Sequence, residues 1–245
     1  MTAKERTRSK MKICAVVLAA GQGKRMNAEV AKQYLLLKEK PVLFYSLYAF
    51  EQSQVDDIVL VVGEGEAEYC QREIVDKYQF SKVRAIVQGG KERYHSVAAG
   101  LKACEECDIV LIHDGARPFV NRQIIQNAVD GVRQYRACVV GMPVKDTIKI
   151  ATTDGYIEST PNRSTVWMVQ TPQAFFYDLI APAYEKLLAQ EDKLKEQGVN
   201  ITDDAMVAEH FTGQKVKIVE GSYQNIKITT PEDLKTAEAF LDKKR

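Results

Sequence analysis

Short runs rich in valine and isoleucine alternate with longer segments of helical periodicity as far as residue 141. The runs are short and are bounded by glycine and polar residues, so we predict buried strands at 12–18, 57–62, 82–87, 109–113 and 137–141. The segments between them predict helices at 42–52, 66–78, 92–104 and 122–135. Strands that alternate with helices are typical of βαβ units, so we expect an α/β fold with a mostly parallel, twisted sheet.

This alternation is interrupted at residues 142–169. Segments 147–150 and 156–159 flank Thr152-Thr-Asp-Gly155, a pattern that predicts a β-hairpin. A two-stranded ribbon is marginal alone, so it must pack on its own domain or on a second subunit, and we favour a protruding arm that builds a dimer. The rest predicts helices at 176–190 and 203–210, strands at 215–220 and 225–228, and a helix after Thr230. Residues 1–245 are then expected to form one domain.

Charge and cysteine content limit what such a domain can do. The 34 Lys+Arg and 33 Asp+Glu residues give a net charge of +1, which argues against nucleic acid as a partner and requires any anion site to be local. The longest apolar run, residues 13–20, is shorter than the ~20 residues that cross a bilayer, so no membrane association is expected. Five scattered cysteines favour a reducing cytoplasm, although the basic residues before that run also resemble a signal peptide. The pair Cys104 and Cys107 lacks the further ligands of a zinc site.

The loop after the first predicted strand is rich in glycine and in cations. Gly21 and Gly23 allow a tight turn whose N–H groups can point at a phosphate. Met26 stands where a dinucleotide-binding loop needs glycine, and the spacing also differs from that of a Walker A loop. The loop carries three cations that suit a polyphosphate, although a solvated basic surface loop is the alternative: Lys24, Arg25 and Lys32.

Two further loops at the same edge of the sheet carry candidate ligand-binding groups. Asp114 follows a strand and precedes a glycine, which suits a Mg²⁺ ligand, although a turn or helix-capping aspartate looks the same. His113 is expected to be structural, and Arg117 could hold an anion or pair with a surface carboxylate. Gly89-Gly90 opens a helix closely enough for a flat base to approach, and Ser96 can supply a hydroxyl. Glycine pairs also mark ordinary turns.

The combination of motifs along the chain is more specific than any one of them. In order they are Leu18-Ala-Ala-Gly-x-Gly-x-Arg-Met26, Lys32-Gln-Tyr34, Gly89-Gly-x-Glu-Arg93, His113-Asp-Gly-Ala-Arg-Pro118, Pro143-Val-x-Asp-Thr147, Gln170-Thr-Pro-Gln173, Ile201-Thr-Asp-Asp204 and Asn225-Ile-Lys-Ile-Thr-x-Pro-Glu-Asp233. From about Lys12 onward, the chain resembles the 2-C-methyl-D-erythritol 4-phosphate cytidylyltransferases of the non-mevalonate isoprenoid pathway. The resemblance implies a Rossmann-like nucleotidyltransferase domain, a β-arm that builds a homodimer, Mg²⁺ as cofactor, and CTP and the sugar-alcohol phosphate as substrates.

Residue roles follow from the same resemblance. Arg25 and Lys32 match the groups that stabilise the transition state and the leaving pyrophosphate. Arg163 and Lys227 match those that position the methylerythritol phosphate, and Asp114 matches the Mg²⁺-facing aspartate. The matches around the nucleotide are Ala19, Ala20, Gly21, Gly90, Ser96 and Gly115, and those at the acceptor are Arg117, Thr147, Thr171 and Thr202.

Some positions depart from the family pattern, and some alternatives stay open. Ala31, Lys91 and His95 stand where members often have proline, an acidic residue and aspartate, and we expect these changes to alter affinity rather than chemistry. A ribitol 5-phosphate cytidylyltransferase has overlapping motifs and is the nearest alternative. A non-catalytic nucleotide-binding regulator and a dinucleotide-dependent oxidoreductase are more distant ones.

Overall fold

The computed structural model describes residues 11–21, 31–104 and 106–242. The strands in these ranges are β1 (Ile13–Ala19), β2 (Leu36–Leu37), β3 (Lys40–Pro41), β4 (Asp57–Val62), β5 (Val83–Gln88), β6 (Ile109–Asp114), β7 (Ala137–Pro143), β8 (Ile150–Ala151), β9 (Ile157–Ser159), β10 (Trp167–Phe176) and β11 (Lys217–Glu220). The α-helices are α1 (Val42–Glu51), α2 (Ala67–Cys70), α3 (Arg93–Lys102), α4 (Arg122–Tyr135), α5 (Tyr177–Ala189), α6 (Glu191–Glu196), α7 (Asp204–Thr212) and α8 (Pro231–Asp242). None of the helices in the described ranges has the length and apolar character needed to cross a membrane.

Seven of the described strands form one sheet in the order β11-β7-β10-β6-β1-β4-β5. β1 pairs in parallel with β4 and β6, and the pairs β4–β5 and β7–β11 are also parallel. β10 runs antiparallel between β6 and β7. The sheet is mostly parallel, and helices alternate with its strands along the chain. This confirms the predicted α/β class.

Helices cover both faces of the sheet, and the alternation along β1 shows how. Ile13, Ala15 and Val17 pack on the side of α1, α2 and α4, whereas Cys14 and Val16 pack on the side of α3, α5 and α7. A strand buried on both faces needs apolar residues throughout, which is why the sequence reads as a continuous apolar run rather than an alternating one. The carboxyl ends of β1, β5 and β6 lie at one edge of the sheet, and their loops form the site described below.

The prediction of a strand at 225–228 is wrong. The backbone of this segment instead forms hydrogen bonds with the loop after β6. The N–H of Ile228 donates to the carbonyl of Ala116 (2.8 Å), and the carbonyl of Asn225 accepts from Arg117 Nη1 (2.7 Å). Side-chain and loop partners therefore replace a strand ladder here, and this arrangement holds the segment beside the carboxyl end of β6.

The sequence analysis missed β10, which has ten residues. Its motif Gln170-Thr-Pro-Gln173 places polar residues and a proline in the middle of the strand, a composition that is typical of turns. The strand keeps its pairing with β7 through a register shift between Val169 and Gln173. The prediction also missed the short helix α6, and it assigned one helix at 66–78 where α2 continues as a π-helix, Gln71–Asp76.

The predicted hairpin is present as β8 and β9, which pair in antiparallel fashion. The turn between them closes when the N–H of Thr152 donates to the carbonyl of Tyr156 (2.9 Å) and the N–H of Gly155 donates to the carbonyl of Thr152 (3.0 Å). The hairpin and the start of β10 expose large apolar side chains, namely Ile150, Tyr156, Ile157, Trp167, Met168 and Val169. Such a surface is unusual for a segment that contacts only water.

Helix α3 packs so closely on the sheet that Gly100 leaves no space for a side chain. A Cβ atom there would lie 2.4 Å from Val16 Cγ1 and 3.0 Å from Val61 Cγ2. We expect Gly100→Ala to lower the free energy of unfolding by about 1–3 kcal/mol, because overpacking exceeds the gain in helix propensity. Urea unfolding measures this, with Lys102→Ala on the exposed side of the same helix as the control, expected within about 0.5 kcal/mol of the unmodified chain. Unchanged stability of Gly100→Ala would contradict the close packing.

Candidate active site

The loops after β1, β5 and β6 enclose a pocket of about 490 Å³ at the carboxyl edge of the sheet. This is the place where open α/β folds bind ligands, and it is the edge to which the sequence assigned the unusual loops. Seven of the residues singled out from the sequence line the pocket: Ala20, Gly21, Lys32, Gly90, Ser96, Asp114 and Lys227.

Other predicted residues support the pocket without lining it. Ala19 is buried at the end of β1, and its carbonyl accepts a hydrogen bond from the Gln33 amide. The N–H of Gly115 donates to the carbonyl of Leu18 (2.8 Å), and a Cβ at Gly115 would lie 2.9 Å from that oxygen. Glycine at this position therefore lets the loop after β6 fold against the end of β1.

Three predicted acceptor-site residues lie apart from the pocket of the same chain. Thr147 and Arg163 are exposed on the arm, where Arg163 Nη1 donates to the carbonyl of Lys145 (3.0 Å). Thr202 is exposed just before α7. Lys24 and Arg25 fall outside the described residues, so their predicted roles stay predictions.

The glycine pair before α3 is explained by close approach. A Cβ at Gly89 would lie 2.5 Å from Ala20 Cβ, and one at Gly90 would lie 2.4 Å from His95 Cβ. The N–H of Gly90 donates to Ser96 Oγ (3.1 Å), so the predicted hydroxyl holds the shape of this loop. The loop after β5 thus lies directly against the loop after β1, and both face the same space.

Positive charge exceeds negative charge among the described residues that line the pocket. Lys32, Lys91, Arg93 and Lys227 contribute cations, and Glu92 and Asp114 contribute carboxylates. Because the pocket is partly shielded from water, these charges act more strongly on a ligand than charges on an open surface do. The arrangement suits an anion with several charges, such as a polyphosphate.

Asp114 is buried at the floor of the pocket among three cations. Lys227 Nζ lies 2.7 Å from its Oδ2, Arg93 Nε lies 3.5 Å from its Oδ1, and Arg117 Nε lies 4.0 Å from Oδ2. Burial alone would raise the pKa of Asp114, but the charges of Arg93, Lys227 and Arg117 outweigh burial and hold this pKa far below its usual range. Asp114 is therefore ionised at any physiological pH.

A hydrogen-bonded chain beneath the pocket fixes the backbone at Asp114. The N–H of Asp114 donates to Thr171 Oγ1 (3.1 Å), which also lies 3.0 Å from His113 Nδ1. His113 Nε2 faces the carbonyl of Arg117 at 3.4 Å, and a carbonyl can only accept. In the neutral ring Nε2 therefore carries the proton, and Nδ1 accepts from the Thr171 hydroxyl. Burial lowers the pKa of His113 to about 3, so the ring is neutral and has the structural role expected from the sequence.

Two residues that the sequence analysis left without a role are important here. Arg93 lines the pocket and contacts Asp114, and its place at the start of α3, just after the glycine pair, was the signal that could have identified it. Asn225 is buried, and its Nδ2 donates to the carbonyl of Thr171 (3.0 Å). This bond holds the segment that brings Lys227 to Asp114, and no local pattern indicates it.

The pocket fits a divalent cation only if the substrate supplies further ligands. No group of three or more His, Cys, Asp or Glu side chains in the described part of the chain could hold a metal ion. Mg²⁺ in nucleotide sites is commonly held by one or two carboxylates and by substrate phosphates. The ionised carboxylate of Asp114 can supply the protein ligand in such a site.

Replacing Thr171 tests the support beneath Asp114. In Thr171→Val, the buried N–H of Asp114 and Nδ1 of His113 lose their partner, and we expect the free energy of unfolding to fall by about 1–3 kcal/mol. Thr171→Ser keeps the hydroxyl and loses one methyl group, so it should cost no more than about 0.8 kcal/mol. Urea unfolding of the two variants measures the difference. Equal stabilities would contradict the hydrogen-bonded chain.

Comparison with known proteins gives one consistent answer. The family model described as 2-C-methyl-D-erythritol 4-phosphate cytidylyltransferase matches residues 13–243. Relatives with that name are 52% identical in Lachnoclostridium phytofermentans (94% of this chain, 96% of the relative) and 46% identical in Caldanaerobacter subterraneus (95% and 100%). A solved 4-diphosphocytidyl-2C-methyl-D-erythritol synthase from Anaerococcus prevotii has a TM-score of 0.82 at 37% identity, covering 95% of this chain and 96% of that one. The chain therefore belongs to the 2-C-methyl-D-erythritol 4-phosphate cytidylyltransferase family.

Proposed function

We propose that this pocket is where the chain transfers CMP from CTP to 2-C-methyl-D-erythritol 4-phosphate. The products are pyrophosphate and 4-diphosphocytidyl-2-C-methyl-D-erythritol, a precursor in non-mevalonate isoprenoid synthesis. The single observation that carries the assignment of the site is the ionised, buried carboxylate of Asp114 facing a pocket rich in cations. Such a site suits a reaction in which two phosphate-bearing substrates and a metal ion must come together.

The chemistry needs positioning and charge compensation more than it needs a base. The attacking phosphate oxygen of the acceptor is already anionic near neutral pH, so no side chain has to remove a proton from it. His113, which is neutral and lies under the floor, is not required to act. Lys32 and Arg25 would stabilise the charge on the α-phosphate and on the leaving pyrophosphate as the bond to that group breaks.

Asp114 would hold a Mg²⁺ ion that supplies further positive charge to the triphosphate when it is bound. Lys227 Nζ lies 2.7 Å from Asp114 Oδ2 and would bind the phosphate of the acceptor close to this carboxylate. Arg117 adds positive charge beside this place, because its Nε lies 4.0 Å from Asp114 Oδ2.

The cytosine base would lie against the loop after β5. Gly90 lines the pocket, and neither Gly90 nor Gly89 has a side chain that would come between the backbone and a flat ligand. Cytosine carries an amino donor at N4, where uracil carries an acceptor. Backbone carbonyls near the glycine pair would accept from that donor and thereby distinguish CTP from UTP.

The arm would build a homodimer and complete the acceptor site of the neighbouring subunit. Its exposed apolar side chains, including Tyr156 and Ile157, need a partner surface, and a two-stranded ribbon is only marginally stable alone. Thr147 and Arg163 lie on this arm and not in the pocket of their own chain. Thr202 would add a further hydroxyl to the acceptor site.

The five free cysteines suit a reducing compartment such as the cytoplasm.

A turnover assay tests the function and the choice of acceptor. The chain with CTP and Mg²⁺ should release pyrophosphate faster with 2-C-methyl-D-erythritol 4-phosphate than with ribitol 5-phosphate. Asp114→Asn is expected to lower kcat by at least about 100-fold, because the charge that compensates the metal ion is lost. Faster release with ribitol 5-phosphate would contradict the acceptor assignment. CTP binding without turnover would favour a non-catalytic regulator.

Subunit complementation tests whether the arm acts in the partner's site. Arg163→Ala and Asp114→Asn should each be nearly inactive alone. After the two are co-refolded, random pairing gives mixed dimers with one intact site each, so roughly a quarter of the original activity should return. The control is Lys149→Ala, which changes an exposed cation on the same arm and should keep its activity. No recovery in the mixture would show that Arg163 does not act across the dimer.

A further inference from the structure

A buried ion pair lies directly behind the pocket. Asp204, the first residue of α7, is fully buried, and its two carboxylate oxygens accept from Nη1 and Nη2 of Arg93 at 2.7 Å each. Tyr184, also buried, donates its hydroxyl to the same carboxylate. The two terminal nitrogens of the guanidinium are thus engaged by one acceptor.

Asp204 cannot readily move, because Gln173 on β10 fixes the start of α7. Gln173 Oε1 accepts from the N–H groups of Asp204 (3.0 Å) and Ala205 (2.9 Å), and its Nε2 donates to Asp203 Oδ2 (3.0 Å). Gln173 is itself buried in the central sheet. The carboxylate of Asp204 is therefore held at a fixed distance from the floor of the pocket.

The remaining nitrogen of Arg93 faces the pocket. Its Nε lies 3.5 Å from Asp114 Oδ1, whereas Nη1 and Nη2 are both engaged by Asp204. Lys227 Nζ already lies 2.7 Å from Oδ2, so a guanidinium released from Asp204 would close on Oδ1 and leave neither oxygen open. With Asp204 present, Arg93 keeps Asp114 ionised through its charge but does not cover it.

The two helix termini act in opposite directions on this pair. The dipole at the start of α3 disfavours the cation of Arg93, whereas the dipole at the start of α7 favours the carboxylate of Asp204. Burial of the pair removes two charges from water, and a buried ion pair is often no more stable than apolar residues of the same size. A buried pair that adjoins the pocket and gains little stability fits a role in the site.

We propose that Asp204 is a positioning residue that holds the Arg93 guanidinium off Asp114 and so keeps that carboxylate open to a divalent cation. This inference rests on the proposed function of Asp114. Without the charge of residue 204, the guanidinium turns and hydrogen-bonds to Oδ1 of Asp114, the oxygen that Lys227 does not occupy. The cation then has to displace an arginine that is already bound there.

The test is Asp204→Asn, which keeps the size of the side chain and removes its charge. With Mn²⁺ as the probe and α,β-methylene-CTP as the nucleotide, electron paramagnetic resonance measures the dissociation constant of the metal. We expect at least about tenfold weaker binding, and a crystal structure of the variant should show Arg93 paired with Asp114. The double variant Arg93→Gln with Asp204→Asn removes the competing cation and should return the dissociation constant to within about threefold of the unmodified chain.

A merely structural pair gives a different result. Asp204→Asn and the double variant would then lower Tm and leave Mn²⁺ affinity unchanged, which would overturn the inference. Asp178→Asn, which breaks the exposed pair with Arg136, is the matched control and should change neither quantity appreciably. If Asp204→Asn does not fold, Asp204→Glu keeps the charge and pushes the guanidinium toward Asp114, so weaker Mn²⁺ binding is again expected and unchanged binding again overturns the proposal.

Failure of the proposed function is recognised separately. If the unmodified chain binds Mn²⁺ no better than Asp114→Asn does, the proposal that Asp114 binds the metal ion is contradicted. The position of Arg93 in the Asp204→Asn crystal structure still decides the inference about Asp204. A guanidinium that stays on residue 204 overturns it, and one that moves to Asp114 supports it.

Discussion

The carboxylate of Asp114 is buried and ionised, and it is stable in that state because cations from three separate segments surround it. Arg93 comes from the start of α3, Arg117 from the loop after β6, and Lys227 from the segment before α8. A buried charge without partners costs several kcal/mol. Folding that buries Asp114 must therefore also bring these segments to the carboxyl edge of the sheet, and this requirement joins the architecture of the fold to the assembly of the site.

The same constraint explains how a chain with a net charge of +1 can offer a site for polyanions. Several cations on the outer surface of the described residues are paired with carboxylates, as in the pairs of Arg84 with Asp57 (3.2 Å) and of Arg136 with Asp178 (2.9 Å). Such exposed pairs contribute little to stability, and salt screens them. The described residues of the pocket instead carry more cations than carboxylates. The net charge of the chain is therefore a poor guide to its local field, which the sheet edge creates by collecting cations.

Sequence patterns predicted those parts of the fold whose cause is local. Strand β6 is an apolar run, and α4 begins after Asn121, whose side chain accepts from the N–H of Ile124. The failures at β10 and at 225–228 share a cause, because polar residues there take partners that are distant in sequence. The bond from Arg117 to the carbonyl of Asn225 spans 108 positions. In the site, strand ends and glycines identified Gly21, Gly90 and Asp114, whereas Lys227 came only from the family resemblance. No local signal links Arg93 to Asp204, which lies 111 positions away.

The contacts of Arg93 make the geometry of the pocket a property of the whole domain. Arg93 opens α3, which follows the glycine loop proposed to hold the base, and its partner Asp204 opens α7. Gln173 joins the start of α7 to β10, and Thr171 on the same strand supports the backbone of Asp114. One central strand therefore positions both carboxylates that Arg93 contacts. β10 is antiparallel between β6 and β7, and from this place its polar motif reaches both sites. The polar residues of this buried strand thus have partners in the loops that form the site.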